Sequence, residues 1–443
     1  MRLASAVLCA VTATALAGPP SKTLERAVKL YDRKDYISAL IELHKVTAGE
    51  AGDDDENRGR ATFFVGKSLF HLGYYVPSYG AFDQITQKGA SHAYYTATIK
   101  WYLPIAEHLP VEFGNLGKFT AKDVQDPALQ TVQDQLAYRR GLYALHAGKL
   151  DVAARELATV PKASTHYGRA MLSLGFVKLR GKKPGDAIAS FALIPAGDAA
   201  ADLSALAAGQ HLVRDKKWEP ALAAYARVGA KSPLATRAAW EASWATLAKQ
   251  GKAPAKLATV ATTPILSPDG PESPTLFGAV AFDFCSNKQG LDALAGFRAD
   301  AAAIEKQLAT ILADSDDATD FYTKHVTKLR GGTAKTLSPR LQMLAHLALN
   351  GPLVSRRAAL LTEIERELAV LQASDKAWQT TQMAANILDD LVLAKSLAEA
   401  DVGVAARERL RQLAADLATL RRASATKVVV SAPGGSGLAV LCP

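Results

Sequence analysis

The sequence predicts an all-α protein, a solenoid of stacked helix pairs followed by a C-terminal helical hairpin or bundle. Three observations lead there. Ala and Leu dominate a chain of 443 residues that is 49% hydrophobic, and strand-favouring residues rarely cluster before the C-terminal tail. Three stretches beginning at Gly141, Gly175 and Gly209 align without gaps, each 34 residues after the last. Late in the chain, apolar residues step by three and four: Leu361, Ile364, Leu368 and Leu371, then Leu410, Leu413, Leu417 and Leu420.

At the N-terminus, Arg2, the apolar run from Leu3 to Leu16 and the small-residue pattern Ala15-Leu16-Ala17 predict a cleaved secretory leader over residues 1–17. That run is shorter than the roughly 20 residues that span a bilayer, and no later stretch is apolar enough to do so. The chain is therefore expected to be exported, periplasmic or secreted, without a transmembrane span. Cys9 lies inside the leader, too early for a lipid-attachment site. Cys285 and Cys442 have no Cys or His companion at metal-ligand spacing, so no metal site is expected, and the sequence leaves their pairing open. The net charge of +9 falls to +8 with the loss of Arg2, a modest excess spread along the chain. Such a surface permits contact with anionic envelope polymers. An exported chain without a basic-aromatic cluster is a poor candidate for nucleic-acid binding.

Residues 18–300 carry the repeat. Each unit has a small residue, a second small residue twelve positions on and a large apolar residue four further: Gly141, Ala153, Leu157; Gly175, Ala187, Phe191; Gly209, Ala221, Tyr225. The same spacing recurs at Ala27, Ala39, Leu43; at Gly66, Ser78, Phe82; at Ala281, Ala293, Phe297; and in decayed form at Ser243, Ala255, Thr259. The two small residues let the helices of a pair approach, and the large one fills the space beneath. Gly148-Lys149, Lys182-Lys183 and Lys216-Lys217 are polar turns within pairs, and Pro161, Pro195 and Pro233 follow the second helices. One pair cannot bury its own apolar face, so pairs stack.

These residues and their 34-residue period resemble the tetratricopeptide repeat family over about residues 23 to 300. The resemblance implies a right-handed superhelix whose concave face, lined by first helices, binds an extended peptide or a partner helix. The basic residues with which some members clamp a terminal carboxylate have no counterpart here. Around 88–130 the period breaks, with Tyr94-Tyr95, Trp101-Tyr102 and Pro104.

Ser267 to Pro274 reads as a loop, residues 301–425 as a helical bundle, and 426–443 as a flexible tail containing the short apolar run Val428-Val429-Val430. Each leucine run covers about two heptads, which favours a hairpin within one chain over a dimeric coiled coil. No nucleophile elbow, metal-binding helix or phosphate cradle is present, the histidines are scattered, and the acidic pairs Asp54-Asp55 and Asp389-Asp390 diverge on a helix. The sequence therefore supports neither catalysis nor a cofactor. The candidate binding residues are aromatic: Tyr75, Tyr79, Tyr94, Tyr95 and Trp101, with Tyr74 and Tyr102 beside them, as flat anchors of a protein-binding groove. The alternative is that they fill the interior of an irregular repeat. The expected role is a non-enzymatic cell-envelope scaffold or adaptor for a protein or peptide partner. Two rival roles are the helical body of a peptidoglycan-acting complex and a binder of anionic envelope glycan or lipid.

Overall fold

The computed structural model describes residues 18–109, 116, 119, 121–250 and 287–425. The leader, the tail, Ser267 to Pro274 and both Cys285 and Cys442 lie outside the described residues, as does most of the decayed unit at Ser243. Among the described residues there are helices and no strand, and consecutive helices pack as adjacent pairs.

The helices are α1 (Lys22–Asp32), α2 (Tyr36–Thr47), α3 (Asp55–His71), α4 (Tyr75–Gln87), α5 (Tyr95–His108) and the short α6 (Ala121–Val124). After a 3₁₀ turn at Pro127–Val132 come α7 (Gln133–His146), α8 (Leu150–Ala158), α9 (Tyr167–Arg180), α10 (Pro184–Ala192), α11 (Ala201–Arg214), α12 (Trp218–Tyr225) and α13 (Ala235–Gln250). The C-terminal part holds α14 (Asn287–Ala313), α15 (Ala318–Phe321), a π-helical turn (Tyr322–Val326), α16 (Thr327–Arg330), α17 (Pro339–Leu349), α18 (Pro352–Ala373), α19 (Lys376–Gln379) and α20 (Gln382–Ala425). The chain forms two compact units. One comprises residues 18–108, 121–130 and 366–391; the other comprises 131–250, 287–365 and 392–425 with Leu109, Leu116 and Phe119.

Within each pair the predicted close approach is present. A Cβ added to Gly141 would lie 2.6 Å from Leu157 Cγ and one added to Gly66 2.7 Å from Phe82 Cε1; Phe191 and Tyr225 press still closer on Gly175 and Gly209. Ala39, Ala153, Ala187 and Ala221 are buried on the opposing helices, and at that position in α4 the hydroxyl of Ser78 donates to the Gly66 carbonyl (2.8 Å). The turns share one geometry. The first helix ends in a left-handed residue, Lys34, Gly73, Gly148, Lys182 or Lys216. The amide one further along then bonds back across the last turn, as Lys149 does to Ala144 (2.8 Å) and Lys217 to Leu212 (2.8 Å).

A second 34-residue pattern, absent from the sequence reading, ties each pair to the next. Ser164, Asp198 and Ser232 occupy equivalent loop positions, and each accepts from the amide two residues on, at 3.1, 2.8 and 3.2 Å. Ser164 Oγ also donates to Asp134 (2.6 Å), while Ser232 bonds the equivalent Asp202, which accepts from Gly229 N (3.0 Å) as well. The middle unit differs, its loop carboxylate accepting, among the described residues, only from Ala200 N. The carboxylate stands at Asp198, and the position facing it is Gly168, where any Cβ would collide with the Asp198 carboxylate. Thr96 and Asp126 (3.1 Å) continue the pattern into the first unit.

That register explains the irregular stretch. Counting from Thr96 as the other units count from Asp134, Gly168 and Asp202, the small-residue position of α5 falls on the buried Leu103. A leucine there holds a facing helix farther from the backbone than a glycine does. The described residues that follow hold only α6 and the 3₁₀ turn before α7 begins.

In the second unit the C-terminal helices form a bundle. Leu361, Ile364, Leu410, Leu413 and Leu417 are buried as the stepping predicted. Arg421 grips Glu305 with two nitrogens (2.8 and 3.0 Å), joining α20 to α14. Arg407 donates to the carbonyls of Ser315, Asp316 and Asp317, just before α15, with its guanidinium 4.8 Å from the Phe321 ring.

Two outcomes check these devices. Gly168→Asp is expected to lower stability by about 1–3 kcal/mol through overpacking and like charge, and adding Asp198→Ser, which recreates the neighbouring arrangement, to recover most of it in urea unfolding. Lys182→Gly is expected to raise stability by about 1 kcal/mol, because it removes the strain of a side chain in the left-handed region.

Candidate functional site

The first helices α1, α3 and α5 lie side by side in the first unit, and helical periodicity places an aromatic and basic surface on them. Phe64 and His71 on α3, like Trp101 and His108 on α5, are seven residues apart and so share a face. Tyr31 lies in the last turn of α1, and Tyr36 and Tyr75 open the second helices α2 and α4.

The rings form a continuous sheet of contacts. Tyr36 stacks on His71 (4.6 Å between centroids), and Tyr75 stacks on His108 (3.7 Å). Phe70 bridges them with edge contacts to Tyr75 and Trp101, both at 5.3 Å, and His71 meets Trp101 at 5.8 Å. Tyr31 contacts Phe64 (5.0 Å) and Tyr36 (5.4 Å), and its hydroxyl lies 3.2 Å from His71 Nε2.

Lys67 reaches into this surface. Its ammonium is 4.3 Å from the centre of Tyr31, 4.7 Å from Phe64, 5.5 Å from Phe63 and 5.8 Å from Trp101. It makes no ion pair or hydrogen bond with any described residue. Burial pulls its pKa below the usual lysine value, against the opposing pull of Asp32. Burial likewise lowers His71, helped by Lys67 and Lys34. Tyr31 is pushed up to about 12, chiefly by burial.

Of the residues singled out in the sequence, Tyr75 and Trp101 belong to this surface. Tyr79 packs edge-on against the buried Tyr102 (5.3 Å), Tyr94 stacks on Phe63 (4.9 Å), and Tyr95 is buried with its phenol beside Asp123. Tyr74 is buried, accepting from the Trp378 indole. Sequence reasoning missed Tyr31, Tyr36, Phe64, Lys67, His71 and His108. One signal was available: in the register set by Thr96, His71, His108 and His146 occupy the same repeat position.

Tyr75 is held from far along the chain. Its helix, α4, has no side-chain cap of its own. The fully buried carboxylate of Glu367 on α18 supplies one, accepting from the amides of Tyr75 (2.9 Å) and Val76 (3.1 Å), where the helix dipole favours negative charge. Next to it, the Arg366 guanidinium sits 5.3 Å over the Tyr75 ring and donates to the Gly73 carbonyl.

Among the described residues no three His, Cys, Asp or Glu side chains converge as a metal set, and no helix is long and apolar enough to cross a membrane. No family model and no curated protein matches the chain.

Glu367→Ala is expected to strip two amides of their acceptor, cost about 1–3 kcal/mol in urea unfolding and speed hydrogen exchange at Tyr75 and Val76. Glu367→Gln keeps an acceptor and is expected to cost less.

Proposed function

We propose that the protein is an exported, non-catalytic scaffold, a tetratricopeptide-like solenoid that holds an extended segment of an envelope protein on the first-helix face of α1, α3 and α5. The observation that carries this reading is Lys67, a half-buried cation ringed by four aromatic faces and lacking a carboxylate partner among the described residues. Aromatic rings offer large rigid contact area at little entropic cost. The preferred segment carries an acidic group to meet Lys67 and an aromatic or proline residue to lie against Tyr36 and Trp101. On α20, Leu393, Leu397 and Val404 stand exposed and provide a second contact surface.

The test is fluorescence anisotropy with extended acidic-aromatic peptides on the full chain. Lys67→Gln is expected to weaken binding about tenfold, equivalent to about 1.4 kcal/mol, with the fold unchanged. The sign of the pH effect follows from His71. Its free-state pKa is depressed by burial and by two cations, and an acidic ligand offsets those cations and raises it. Binding therefore takes up protons, so affinity is expected to rise as pH falls toward the depressed free-state pKa of His71, and this pH dependence to be lost in His71→Gln. Binding of peptidoglycan fragments or anionic vesicles in place of every peptide would overturn the reading.

A further inference from the structure

Residues 18–21 are tied to the start of α3 with unusual completeness for a chain segment beside the predicted leader. Gly18 N donates to Asp54 Oδ2 (2.7 Å), and the buried Asn57 amide donates to the Gly18 carbonyl (2.9 Å). Ser21 gives both its amide (2.9 Å) and its hydroxyl (2.6 Å) to Asp53, itself buried, and the same hydroxyl caps α1 by accepting from Leu24 N (3.1 Å). Asp54 divides its two oxygens: Oδ1 caps α3 by accepting from Asn57 N (2.8 Å), and Oδ2 faces Gly18.

We propose that Asp54, with Asp53 and Asn57, is a receptacle for a processed N-terminus: hydrolysis of the Ala17–Gly18 bond leaves the Gly18 α-ammonium paired with the Asp54 carboxylate. In that step water adds across the peptide bond. Ala17 keeps the new carboxylate, and the released Gly18 amine takes a proton, since an α-amine has a pKa near 8. The inference rests on the export reading for the existence of the cut, but the receptacle rests on the contacts alone.

Three features fit a charged terminus. Asp53, Asp54 and Asp55 bring negative charge to the place, and only Asp55 is matched by Arg58 on its own helix. A Cβ at residue 18 would lie 3.1 Å from Asp54 Oδ2, so glycine permits the approach. Pro19 and Pro20 fix their own φ angles, which limits the entropy lost in seating the terminus. Hydrogen bonds from Asn57 N and Gly18 N already hold the Asp54 carboxyl below the usual carboxylate range.

Hydrolysis converts an amide donor into a cation at the same atom, so the test compares charge and not shape. The chain beginning at a free Gly18 and the same chain enzymatically acetylated at that nitrogen are melted side by side, each also as Asp54→Asn, which keeps a good helix cap. The free-amine chain is expected to melt about 1–3 °C higher at pH 7. The gap is absent in Asp54→Asn. Because pairing raises the folded pKa of the amine, the gap persists below about pH 8 and closes as pH rises through that higher value. Equal melting of the free and acetylated chains overturns the receptacle. N-terminal sequencing of protein recovered from the envelope fraction tests the cut separately: Gly18 as first residue supports it, and any other first residue overturns it whatever the melting shows.

Discussion

Everything in the repeat region depends on how near two helices of a pair can come. Where a glycine of the first helix meets Leu157, Phe191, Tyr225 or Phe82 of the second, the missing side chain lets a ring or branched group press on backbone. Large apolar area is thereby buried by a pair only two helices thick. The left-handed turn residue follows from the same constraint, because helices packed this closely must be joined within a few residues. Leu103 shows the converse. With that one position filled by a buried leucine, α5 lacks the small residue that lets a facing helix come close, and among the described residues the next regular pair begins at α7.

Between pairs the order is kept by polar groups. The clasp from Asp134 to Ser164, and from Asp202 to Ser232, uses a carboxylate on the first turn of a helix and a hydroxyl in the loop ahead. In the middle unit the carboxylate moves into the loop, and Gly168 makes room for it. No hydrogen bond crosses from Asp198 to Gly168, but the carboxylate lies so close to that position that only glycine fits, which ties the choice of glycine to that of aspartate.

The glycine and ring positions could be read from the chain because they recur at a fixed interval and obey a size rule that periodicity exposes. The clasp recurs at the same interval but escaped notice, since its members differ in type: Ser, Asp, Ser in the loop and Asp, Gly, Asp on the helix. Periodicity also misplaced one core position. The run Leu361, Ile364, Leu368, Leu371 points inward at every member, yet Leu368 is only half-buried and its neighbour Glu367 is buried in its stead. Only the partner of Glu367, an uncapped helix start nearly three hundred residues away in the chain, makes that substitution sensible. The proposed binding face was half legible. Tyr75 and Trp101 stood out as aromatics, whereas Lys67, His71 and His108 acquire meaning only when three helices are laid side by side.

Glu367 and Lys67 show how differently one unit treats two desolvated charges. Taking an ion fully out of water, as for Glu367, costs several kcal/mol; the half-buried Lys67 bears only part of such a cost. Glu367 recovers that cost in part through amides pre-aimed at a helix N-terminus. Lys67 receives only ring faces, each interaction contributing about 0.5–2 kcal/mol. Its lowered pKa records the imbalance, because the charged form is the one left under-stabilised. A carboxylate placed beside Lys67 would correct the imbalance and relieve His71 at the same time, so the ligand stands to gain most at this lysine. The glutamate, bonded to the first amides of α4, holds Tyr75 where such a ligand would lie.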